Sequence, residues 1–76
     1  MTLTKLDLSG LKCPLPALMT RKALKGLVAG DRLEVTSTDP LSVIDIPAMI
    51  LQTGDRIDAT DRTADSAIFL IEKCNR

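Results

Sequence analysis

The chain has no histidine, tryptophan or tyrosine, and its one aromatic residue is Phe69. Without imidazole there is no Cys–His nucleophile pair. Two cysteines, Cys13 and Cys74, do not close a structural zinc site by themselves, so no metal centre is expected. They do not form a C-x-x-C pair either, which removes a thioredoxin-type dithiol. The glycine-rich phosphate loop and the dinucleotide fingerprint are both missing. One aromatic ring makes no stacking platform for single-stranded nucleic acid, so no direct nucleic-acid partner is expected. No apolar run is long enough for a signal peptide or a membrane span. Sparse, distant cysteines suit a reducing compartment better than a disulfide-stapled secreted domain. The expected location is the cytoplasm.

What is present fits one small globular domain over residues 1–76, with a thin aliphatic core. Hydrophobic residues make up 45% and charged residues 26%, so the chain can bury a core and is not expected to be disordered. Formal net charge is zero, yet residues 1–30 hold Lys5, Lys12, Arg21, Lys22 and Lys25 against Asp7 alone. Either the fold scatters these cations, or it gathers them beside Cys13, where they favour an anionic sulfur species or an acidic partner.

Hydrophobic periodicity gives the order β-α-β-α-β-β. "TKLDLS" alternates with Leu6 and Leu8 on one face, and Gly10 permits a turn. A helical pattern runs from Pro14 to Val28, with Arg21, Lys22 and Lys25 near its end, where cations suit the dipole. Ala17, Thr20, Leu24 and Leu27 share its inner face, and Leu15 and Met19 fall on the other side as a candidate docking rim. "RLEVTST" reads as a second strand. The second helix is expected from about Asp45 to Thr53, because Pro47 fits only a first turn, with Gly54 as its C′ residue. "RIDATD" is a weaker strand with Ile57 and Ala59 on one face, and the near-continuous apolar run of "AIFLIEK" suggests a central, well-covered one. The expected architecture is a two-layer α/β sandwich: a four-stranded mixed sheet with two helices on one face.

The stretch "SGLKCPLPAL", from Ser9 to Leu18, carries the chemistry. If Cys13 is the N-cap, Pro14 falls at N1 and Pro16 at N3, where lost donors cost little. Proline also pushes the preceding residue out of helical geometry. Cys13 is then held at the positive end of a helix, where thiol pKa values drop from about 8.5 into a range of roughly 3.5–7.5. Lys12 is placed to add to the effect. As a plain small residue, cysteine is a poorer cap than Ser, Asp or Asn. Cys74 reads as an incidental thiol at a strand end, and a Cys13–Cys74 disulfide stays open at this stage.

"LDLSGLKCPLPALMTRKAL", followed by "GDRLEVTSTDPLSVIDIP", "QTGD" and "FLIEK", resembles the TusA family, also called SirA-like proteins, over essentially the whole chain. The resemblance implies a sulfur carrier: the cysteine matching Cys13 accepts sulfane sulfur as a persulfide and passes it on. It implies a donor protein (a cysteine desulfurase or a rhodanese-like protein), an acceptor protein, no cofactor, and service to tRNA thiolation, molybdenum-cofactor supply or sulfur oxidation. Gly10, Lys12, Pro14 and Pro16 become the scaffold of Cys13, and Asp45 and Pro47 a structural motif. Such a carrier is a sulfurtransferase-type relay rather than a stand-alone enzyme, and a monomer when free. Asp55 stands where the family often has histidine. The alternative is a non-catalytic module of the same fold that uses Cys13 as a redox-sensitive thiol.

Overall fold

In the computed structural model, which describes residues 3–12 and 14–74, the first alternation forms β1, Leu3–Leu8. It is followed by α1, Leu15–Lys25, β2, Arg32–Ser37, α2, Ser42–Thr53, β3, Arg56–Arg62, and β4, Ala67–Glu72. The strands lie in the order β1-β2-β4-β3. β1 runs parallel to β2, and β4 is antiparallel to both β2 and β3. The expected mixed sheet and element order are therefore present.

Strand periodicity decides the core. On β2, Leu33, Val35 and Ser37 face the helices, and on β4, Ala67, Phe69 and Ile71 do the same; all are buried. Val35 pairs with Phe69, which places the one aromatic ring at the centre of the sheet. Leu24 of α1 and Ile46, Met49 and Ile50 of α2 close over it. β4 lies between two strands as expected, although its outer residues Ile68, Leu70 and Glu72 are half-exposed because no layer covers that face. Charge protects it instead: Arg56 bonds Asp58 at 2.8 Å and also pairs with Glu72, and Arg32 lies 3.6 Å from Asp58. The paired carboxylates hold the Arg56 guanidinium above its ordinary pKa, Asp58 contributing most.

Three expectations need correction. The first helix ends at Lys25 rather than Val28, with Gly26 as its C-cap, and Leu27 only packs against the core. The second helix starts at Ser42, not Asp45, so Pro47 lies inside it. Asp39 makes this start: its carboxylate accepts the Leu41 amide at 3.2 Å, and its carbonyl accepts the Ser42 amide at 3.0 Å and hydroxyl at 2.7 Å. Pro47 then costs one helical bond, the one that an amide at 47 would have given the Val43 carbonyl. Finally, Ile57 and Ala59 do not share a face. A register shift around Asp58 pairs Ile57 with Ile71 on the core side and Ala59 with Leu70 on the open side. At the helix end, Gly54 takes a φ of 84° and closes on the Ile50 carbonyl, as a C′ glycine does.

Candidate functional site at the start of the first helix

The approach to α1 is fixed by short polar bonds. Asp7 accepts the Ser9 hydroxyl at 2.6 Å and the Ser9 amide at 3.0 Å. These bonds, the side-chain one first, hold the Asp7 carboxyl below its ordinary pKa. Gly10 has a φ of +86°, and a Cβ there would meet nothing, so the backbone angle rather than space calls for glycine. Its amide donates to the Thr38 hydroxyl at 2.8 Å, tying the exit of β1 to the exit of β2.

Lys12 is exposed, and its carbonyl accepts the Leu15 amide at 2.9 Å. Cys13 itself lies outside the described residues. Pro14, not Cys13, is the N-cap of α1, with φ −95° and ψ 11°. Pro16 is accordingly at N2, not N3. The shift follows from the Lys12–Leu15 turn, which uses the Leu15 amide before the helix begins. Pro16 is fully buried, and its carbonyl accepts the buried Thr20 hydroxyl at 2.7 Å. The first proline is exposed and removable; the second is part of the packing.

The electrostatics of this end are one-sided. Among the described residues no side chain caps α1, and its first turn contains no acidic residue. The two prolines carry no amide donor, and Leu15 spends its own on Lys12. Lys22 and Lys25 sit in the last turn, where they favour the dipole and leave its positive pole at the other end. An anion close to that pole is stabilised by about 0.3–1 kcal/mol when exposed.

The surface around the start is apolar. Leu15 is 45% exposed, Leu18 55% and Met19 38%, and Arg21, Lys22 and Lys25 follow on the outer side. The expected rim of Leu15 and Met19 thus gains Leu18. On the inner side Thr20 and Leu24 are buried and Ala17 is half-buried.

Other candidate residues lie elsewhere. Asp45 and Pro47 belong to α2, Asp45 as the acidic residue of its first turn. Cys74 is a half-buried free thiol whose Sγ donates to the Glu72 carbonyl at 3.5 Å. Asp55 holds that end together: it accepts the Cys74 amide at 3.1 Å and the Thr53 hydroxyl at 2.9 Å. Leu8, from which the Cys13 segment departs, pairs with Ser37, while Glu72, beside Cys74, pairs with Arg32 at the other end of β2. Sequence reasoning missed Thr38 and the structural tie made by Asp55, since neither bond has a local pattern; Gly10 was legible from its residue type alone.

Among the described residues no helix is long and apolar enough to cross a membrane. The family model described as Sulfurtransferase TusA matches residues 4–73. A protein of Allochromatium vinosum named Sulfur carrier protein TusA is 42% identical over 69 residues, covering 91% of each chain. A Putative sulfur carrier protein of Aquifex aeolicus is 37% identical over 70 residues, and the match spans 36% of its length. In fold, the chain is similar to a SirA-like protein of Desulfitobacterium hafniense, with a TM-score of 0.79 at 22% identity, over 99% of this chain and 100% of that one.

Proposed function

This chain belongs to the TusA family, and on that footing we propose that it carries sulfane sulfur as a persulfide on Cys13. The observation that supports this most is the start of α1: uncapped, without an acid in its first turn, rimmed by exposed Leu15, Leu18 and Met19, and directly following Cys13 in sequence. Such a pole favours a thiolate over a thiol.

The reaction is an exchange without net oxidation. The Cys13 thiolate attacks the outer sulfur of a donor persulfide, the donor's S–S bond breaks, and the donor leaves as a thiolate. An acceptor thiolate then attacks the outer sulfur now on Cys13 and regenerates the Cys13 thiolate. Attack is fastest when the thiol pKa lies near ambient pH, so a moderate lowering serves better than a large one. The donor is a cysteine desulfurase or rhodanese-like protein, and the acceptor belongs to a thiolation, cofactor-assembly or sulfur-oxidation route. Work as a reduced thiol suits a reducing cytoplasm. The apolar rim with its basic flank suits partners that offer an apolar hollow edged by carboxylates.

Intact masses after incubation with a desulfurase and cysteine test the proposal. Wild type and Cys74→Ser should gain one sulfur atom, and Cys13→Ser should gain none while keeping its circular dichroism spectrum. Loading that persists in Cys13→Ser overturns the assignment to Cys13, and a wild type that gains no sulfur leaves the redox-sensitive module.

A further inference from the structure

The outer face of α2 carries an apolar row, with the uncharged Gln52 exposed beside its end. Leu41, the N-cap, is 52% exposed, Ile44 65% and Leu51 84%, and Ala48 is exposed between them. No charged residue interrupts the row; Asp45 is half-buried on its flank. Their spacing of three, four and three residues is the a/d seam of a helix that packs on another helix. Monomers do expose single leucines, but an ordered row of this kind marks an interaction surface.

We infer that this row pairs with the same row of a second copy, the helices antiparallel about a two-fold axis that meets the outer face level with Ile46, whose own side chain is buried on the opposite face. The spacing is symmetric about that position. An antiparallel copy sets Leu41 against Leu51, and Ile44 against Ala48, in both directions. Every large side chain then meets an apolar one, and alanine opposite isoleucine lets the helices approach closely at the centre. A two-fold interface demands this self-complementarity of a single patch. Formal net charge is zero, so no long-range repulsion keeps two copies apart. Neither other surface offers the same match. On α1 the outer row passes from Leu15 and Leu18 to Lys22 and Lys25, and the open sheet face carries the Arg56, Asp58 and Glu72 charges. One pair of short helices buries little area, so the pair is weak and forms at high protein concentration. The inference is independent of sulfur transfer, because its readouts involve no sulfur loading.

Disulfide trapping tests both the pairing and its direction, in a Cys13→Ser, Cys74→Ser background. Leu41 and Leu51 lie roughly 15 Å apart along one helix at 1.5 Å per residue, too far for a bond within one chain. Leu41→Cys plus Leu51→Cys should oxidise to a covalent dimer at least tenfold faster than either single variant. Dimer from the single variants at the same rate indicates a parallel or random encounter and overturns the inference. Sedimentation at rising concentration is the second measurement. The mass of wild type should climb from 8.2 kDa toward twice that value. Ile44→Glu with Leu51→Glu should stay monomeric with an unchanged circular dichroism melt, because both side chains are exposed. A wild type that stays monomeric throughout, or a variant that still pairs, contradicts the inference and leaves the row to a different protein.

Discussion

At the start of α2 the chain satisfies its own backbone. The Asp39 carboxylate and carbonyl take the Leu41 and Ser42 donors, and Asp45 puts a negative charge into the first turn. At the start of α1, on the same side of the sheet, none of this happens. Two prolines remove donors, no side chain among the described residues caps the end, no acid enters the first turn, and apolar side chains stand in solvent. The contrast separates structural from chemical use of the same element. One helix start is neutralised and serves the fold. The other, which follows Cys13 in sequence, has no such neutralising group among the described residues, and its stability comes from the burial of Pro16, Thr20 and Leu24 further along.

The largest expected effect comes from unmaking the satisfied start. Asp39→Ala with Ser42→Ala should cost about 2 kcal/mol of unfolding free energy in urea, since lost helix-start bonds cost about 1 kcal/mol each. Sulfur loading per folded molecule should not change. On the other helix the prolines should part company. Pro16→Ala removes two buried ring methylenes, worth about 0.8 kcal/mol each, for a loss of about 1.5 kcal/mol. Pro14→Ala, at an exposed cap, should stay within about 0.5 kcal/mol of wild type by the same denaturation. Equal losses at both positions would erase the distinction drawn between them.

The comparison can also be sharpened by transplanting one start onto the other. Leu15→Glu gives α1 the first-turn acid that α2 has. It should raise the Cys13 pKa by a few tenths of a unit, read from pH-dependent thiol alkylation, without lowering stability, because an acid there also favours the helix dipole. The smallest effect concerns Asp7, whose carboxylate is spent on Ser9 rather than on α1. Its folded-state carboxyl titrates below the ordinary 3.8, so its contribution is in place above that pH. It fades as pH falls through the lower folded value. Asp7→Asn should therefore differ slightly from wild type in thermal midpoint at pH 6, and the difference should vanish in strong acid.

The sheet was readable because two-residue alternation survives in β1 and β2 and a near-continuous apolar run marks β4, and the glycines at 10 and 54 announced turns that their positive φ angles confirm. The inner row of α1 was readable for the same reason, at helical period. The start of α2 was not, because its bonds come from the Asp39 carbonyl as well as from side chains, and because the burial of Ile46, Met49 and Ile50 outweighs the bond lost at Pro47. The shift at Asp58 has no residue signature, so Ala59 was assigned to the wrong face. At the candidate site the motif singled out Gly10, Lys12, Pro14 and Pro16, but not which proline is buried. That depends on the Lys12–Leu15 turn, which moves the helix start by one residue.

The central claim is that α1 opens with an unneutralised positive pole beside Cys13. The most direct measurement is the rate of iodoacetamide alkylation against pH in the Cys74→Ser variant, where one thiol reports. With no histidine in the chain, the helix end and nearby cations such as Lys12 are left to lower it. The account predicts a midpoint about one unit below the ordinary thiol value of about 8.5. A midpoint at or above about 8.5 would contradict it.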